Sequence, residues 1–105
     1  MDRKFELGIN SAIAEELGKT QFTEDQIALV IEPDPFLPGT ANARLKESGA
    51  PIWAIVSFAQ TPDVTTSQLI DECELSRDIL AATFAYYQNH QSTIDAKILL
   101  ARSGA

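Results

Sequence analysis

Cysteine and histidine are nearly missing from this 105-residue chain, which holds one of each. A single thiol excludes an intrachain disulfide and a multi-cysteine zinc site, and is the usage expected of a reducing compartment. With one imidazole and one thiol, the chain has no set of His and Cys large enough to hold a metal. Long apolar runs are also missing, and the opening Met1, Asp2, Arg3, Lys4 leads into no hydrophobic stretch. Neither a signal peptide nor a membrane span is expected, and the reading is a cytoplasmic protein. Basic residues are scarce, 8 Lys and Arg against 15 Asp and Glu, for a net charge of -7. That balance opposes attraction to DNA phosphates and anionic lipid, so any nucleic-acid contact needs a local basic patch. Glycine-rich phosphate loops are absent, Gly39 and Gly49 being isolated, and no Ser/His/Asp or Cys/His arrangement is suggested by order or spacing. The expectation is a chain that is not an enzyme, with no cofactor and no metal.

What is present is helical punctuation. The length and a hydrophobic content of 45% suit one domain, 1–105, with its own core. Phe5, Ile9, Ala12, Ile13 and Leu17 recur at helical steps, with Gly18 as a stop. Thr23 and Gln26 form a capping box, with Phe22 and Ile27 placed to staple over it, and start a helix towards Glu32. The stretch Ile27, Leu29, Val30, Ile31 also suits a buried strand, and the helix is preferred. An N-terminal helical extension 1–32 thus precedes a proline-stiffened loop, 33–39, where Pro33, Pro35 and Pro38 forbid a helix. Residues 40–49 carry no clear period and stay unassigned.

Ala50 and Pro51 open the next helix, with Pro51 at its first position and Ile52, Ile55, Val56 and Ala59 facing inward. Thr65 and Gln68 repeat the capping box, with Val64 and Leu69 as staple, for a short helix to about Cys73. Ser76 caps a longer helix, carrying Ile79, Leu80, Thr83, Phe84, Tyr86 and Tyr87, to about Asn89. Ser92 with Asp95 suggests a last cap and a C-terminal helix, about 92–102.

The expected fold class is all-α, mostly helical. The succession over about 50–90 reads as a helix-turn-helix, a homeodomain-like or winged-helix-like three-helix core with extra N-terminal and C-terminal helices. Leu69, Cys73, Leu75 and Leu80 would bury its corner, while Ile70 replaces the usual small residue and Glu74 the usual turn glycine. On that reading Ser76, Arg77, Ala81 and Gln88 face DNA, supplemented by Arg44, against the charge of Asp71, Glu72, Glu74 and Asp78. Trp53, at the edge of its helix's apolar face, together with Tyr86 and Tyr87, suits the interface of a homodimer.

The stretch Ile31, Glu32, Pro33, Asp34, Pro35, then Pro38, Gly39, Thr40, Arg44 and Leu45, a helix led by Pro51, and Ala81, Ala82, Thr83, Phe84, Ala85, Tyr86, Tyr87, Gln88, Asn89, His90 before Ile94 and Asp95 resembles domain-of-unknown-function family number 433. The resemblance covers roughly residues 26–100. It departs where many members read Gly-Thr-Arg directly, since Ala41, Asn42 and Ala43 separate Thr40 from Arg44 here. The resemblance implies a mainly prokaryotic helix-turn-helix protein, with members that look like antitoxins of PIN-domain toxin pairs. It therefore implies a partner toxin and an operator.

Local chemistry gives plainer readings beside these. His90 reads as a helix-end residue, Cys73 as a small hydrophobe whose thiol is raised by neighbouring acids, and the acidic set as a solvated face or a surface for a basic partner. The functional expectation is a non-enzymatic, antitoxin-like regulator binding DNA, a toxin or both. The alternative is a protein-interaction module with no nucleic-acid role.

Overall fold

The protein is described here as a computed structural model covering residues 22–61 and 63–103. In chain order these hold helix α1 (Glu24–Ala28), strand β1 (Ile31–Glu32), a 3-10 turn (Thr40–Asn42), strand β2 (Arg44–Leu45) and helices α2 (Ile52–Ala59), α3 (Thr66–Cys73), α4 (Arg77–Asn89) and α5 (Gln91–Ser103). The described residues are mostly helical, as expected. The helix expected around Phe5, Ile9, Ala12, Ile13 and Leu17 lies outside the described residues.

Three of the expected caps form where the sequence places them. Thr23 Oγ1 accepts the Gln26 N–H at 3.1 Å and Gln26 Oε1 accepts the Thr23 N–H at 2.8 Å, closing the box at the head of α1. Thr65 and Gln68 make the same pair at 3.1 and 2.9 Å for α3, and Ser76 Oγ accepts the Ile79 N–H at 3.2 Å for α4. Each satisfies amides that a helix start leaves open, a contribution of about 1 kcal/mol apiece. Val64 and Leu69, the expected staple of α3, are buried in one core with Leu75 and Leu80.

The expected helix towards Glu32 stops four residues short. After Ala28 the chain turns through Leu29 and Val30, and Ile31 and Glu32 pair antiparallel with Leu45 and Arg44. The cause is local and tertiary together. Pro33 forces the residue before it out of helical geometry, and the Glu32 carboxylate meets the Arg44 guanidinium at 2.8 Å across the ribbon. The unassigned stretch thereby acquires structure as the 3-10 turn and β2. β2 is held on its other side, too, by Leu45 N–H to Ala50 O at 2.9 Å and Ile52 N–H to Ala43 O at 3.0 Å. Pro51 is consequently the cap of α2 and not its first helical residue, with an extended ψ of 136°.

The core lies around α4. Its Leu80, Ala81, Ala82, Thr83, Phe84 and Tyr87 are buried, against α1 on one flank and α2 and α5 elsewhere. Thr83 is tolerated inside because its hydroxyl donates to the Ile79 carbonyl at 2.8 Å. From α2 come Ile52, Ile55, Val56 and Ala59, the face the sequence assigned inward, and from α5 come Ile94 and Ile98.

The last helix departs from its expected start. α5 begins at Gln91, directly after His90, which ends α4 at φ −131° and ψ 34°. Ser92 is therefore inside the helix and caps nothing. Asp95 is engaged elsewhere, its carboxylate accepting the Tyr87 hydroxyl at 2.6 Å.

Candidate interaction surfaces

Two regions hold the residues that chemistry and exposure single out. The first is α3, the turn after it and α4. Glu74 follows α3 in the left-handed conformation, φ 54° and ψ 47°, which residues other than Gly, Asn and Asp seldom adopt. Its N–H and that of Leu75 both donate to the Ile70 carbonyl, and Leu75 is buried beside half-buried Ile70. This is the geometry of a Schellman stop, and it is the position at which the sequence lacks the usual turn glycine. Leu69, Leu75 and Leu80, expected at a helix-turn-helix corner, are buried, and Cys73 with them is half-buried.

The candidate DNA-facing residues do not share an open face. Arg77, Ala81, Phe84 and Gln88 fall on one stripe of α4 by helical spacing, yet Ala81 is only 5% exposed and Phe84 is buried as well. The expectation that Ala81 faces a ligand is thus corrected: α1, α2 and α5 wrap the middle of α4, and its fully exposed residues are Arg77, Asp78, Gln88 and Asn89 at the two ends. Ser76 is exposed, with its hydroxyl committed to the cap. Arg44 sits away from this helix on β2, half-buried in its ion pair with Glu32. Arg77 is the one basic residue between Thr66 and Asn89. Exposed Asp71, Glu72, Glu74 and Asp78 surround it in sequence.

The proposed dimer residues are likewise engaged within the chain. Tyr87, expected at an interface, is 2% exposed in the single chain and lies in its core. Burial first, and then the hydrogen bond to Asp95 and that carboxylate's charge, push its phenol well above the ordinary range. Tyr86 is half-buried and donates its hydroxyl to the Thr40 carbonyl at 2.8 Å, pinning the 3-10 turn to α4; its ring lies 4.4 Å from that of His90. Trp53 is half-buried, with the Lys97 ammonium of α5 5.8 Å from its ring centroid. Cys73 is half-buried, and burial followed by the Glu72 charge raises its thiol, as its acidic neighbours predict.

The second region was not singled out by sequence. Both ends of the proline loop, Pro33 and Gly39, join Ile31, Thr40, Ala43 and Tyr86 in lining a cleft of about 320 Å³. The loop is held rather than loose. Asp34 Oδ1 accepts the Phe36 N–H at 3.3 Å, Asn42 Nδ2 donates to the Pro38 carbonyl at 2.9 Å, and Gly39 turns the chain at φ 104°. At its crest Phe36 is 86% exposed and Leu37 53%. The available signal was two large apolar residues between prolines, where the backbone cannot fold them back into a helix.

Among the described residues no group of three or more His, Cys, Asp or Glu is placed to hold a metal ion, and no helix is long and apolar enough to cross a membrane. Comparison with protein-family models, curated proteins and solved structures finds no match to this chain, so the resemblance stated above rests on the quoted residues alone.

Proposed function

We propose that this chain is a non-enzymatic binding module that docks on a partner protein through the crest of its proline loop and the adjoining cleft. The observation that carries this reading is the exposure of Phe36 and Leu37 on a backbone already fixed by three prolines and two side-chain hydrogen bonds. An aromatic anchor on a rigid loop loses little conformational freedom when it is covered, which is the economy of binding hot spots. The net charge of -7 favours a basic partner, because opposite charge speeds encounter and suppresses wrong pairings. An antitoxin-like role, in which the partner is a basic toxin, is the specific form of this proposal that the family resemblance implies.

The second reading is a DNA-binding helix-turn-helix formed by α2, α3 and α4. It is favoured by the tight three-residue connection through left-handed Glu74 and by the buried leucine corner. It is opposed by the wrapped middle of α4 and the acidic turn. The two readings separate in a titration of labelled mixed-sequence duplex followed by fluorescence anisotropy at two salt concentrations. The protein-docking reading expects no binding above the non-specific level at either. Tight binding that weakens by orders of magnitude as salt rises would overturn it in favour of the second reading.

A further inference from the structure

We infer that α5 is an exchangeable arm: α4 and α5 can straighten into one helix, and the site vacated on α2 is then filled by α5 of a second copy of this chain. A single residue, His90, separates the two helices. The helical bonding nearly runs through it, since the His90 N–H donates to the Tyr86 and Tyr87 carbonyls, both at 3.1 Å, and the Ile94 N–H donates to the His90 carbonyl at 3.0 Å. The bonds that a straight helix would add, from the amides of Gln91, Ser92 and Thr93 to the carbonyls of Tyr87, Gln88 and Asn89, are not made.

Nothing local requires the bend. The residues Tyr87, Gln88, Asn89, His90, Gln91, Ser92, Thr93 and Ile94 include neither proline nor glycine, the usual causes of a sharp break. The bend is imposed by what α5 touches: Ile94 and Ile98 in the core, Asp95 on the Tyr87 hydroxyl, Lys97 over Trp53, and Arg102 Nη2 at 3.2 Å from Ser57 Oγ. All of these contacts join α5 to other elements of the fold, so the α5 of an identical chain reproduces every one of them. Straightening changes His90 alone and yields a helix from Arg77 to Ser103, about 40 Å long. A short connection whose two ends already have helical hydrogen bonds is the arrangement that favours exchange between copies. The occupant is therefore a second copy, and the surface it fills is the groove over α2 and the 3-10 turn on which α5 rests.

The test uses the whole chain. Sedimentation velocity over a concentration series should show a monomer and a dimer. His90→Ala, which favours the straight helix in both chains, should lower the dimer dissociation constant roughly fivefold to tenfold, and two glycines inserted between His90 and Gln91 should raise it at least about tenfold. Exchange is separated from surface pairing by two Cys73→Ser chains, one also carrying Ser57→Cys and the other Arg102→Cys, mixed after denaturation, refolded together and treated with a short bismaleimide. A covalent pair of the two different chains is the expected product. Monomer throughout for both the wild type and His90→Ala, a dissociation constant indifferent to the hinge, or a dimer that gives no such covalent pair would each overturn the proposal.

Discussion

Replacing Glu74 with glycine should stabilise this protein, although it deletes a side chain and adds backbone freedom. Glu74 adopts φ 54° and ψ 47°, where an L-residue costs about 1–2 kcal/mol relative to glycine. Against that, glycine gives the unfolded chain extra conformational entropy, worth about 0.4–1 kcal/mol. The difference is a net gain of about 0.5–1 kcal/mol, or roughly 2–6 °C in Tm for a domain of this size. Glu74 is exposed, so no packing is lost, and its N–H bond to the Ile70 carbonyl is made by the backbone and survives. Glu74→Val gives the opposite sign, because a β-branched side chain is still less suited to the left-handed region, and should cost about 1 kcal/mol. Thermal unfolding followed by circular dichroism, with urea titrations for the free energy, reads both. If Glu74→Gly lowers Tm, or if the glycine and valine variants move together, the turn between α3 and α4 does not have the geometry on which the corner has been built.

Three further outcomes follow from the core and the ribbon. Tyr87→Phe removes a 2.6 Å hydrogen bond to a carboxylate and should cost about 1–2 kcal/mol in urea unfolding at neutral pH. Because the folded-state phenol is held above its ordinary value near 10, the unfolded chain loses that proton first; stability should fall as pH rises above about 10, and the fall should be shallower in Tyr87→Phe. Ala81→Leu should destabilise by about 1–3 kcal/mol through overpacking, whereas an Ala81 that faced a ligand would accept leucine without penalty. Arg44→Ala should cost no more than about 1 kcal/mol, since the pair with Glu32 is a third exposed on each side, and the loss should shrink further in high salt.

The legible parts of this fold were those written in short-range chemistry. Thr23 with Gln26, Thr65 with Gln68, and Ser76 announce helix starts because their partners lie three residues away, and α2's inward face is given by Ile52, Ile55, Val56 and Ala59 alone. Two-residue strands have no period to read, and the pairing of Ile31 with Leu45 depends on a contact across the whole proline loop. The break at His90 carries no proline or glycine and is visible only through the tertiary contacts of α5. Helical spacing could place Ala81 on a stripe with Arg77 and Gln88, but it could not say that Ala81 and Tyr87 are buried by the rest of the fold. Composition likewise reads Phe36 and Leu37 as apolar, and only the fixed loop shows that they are left in solvent.

On the proposed reading this loop crest binds a protein. The most direct measurement is quantitative capture from nuclease-treated native lysate by immobilised wild-type chain and by the double variant Phe36→Ser and Leu37→Ser, after confirming that both unfold at the same urea concentration within about 0.5 kcal/mol. A stoichiometric basic protein is expected on the wild type, reduced at least about tenfold on the variant. Equal capture by the two, or no protein retained by the wild type, would contradict it.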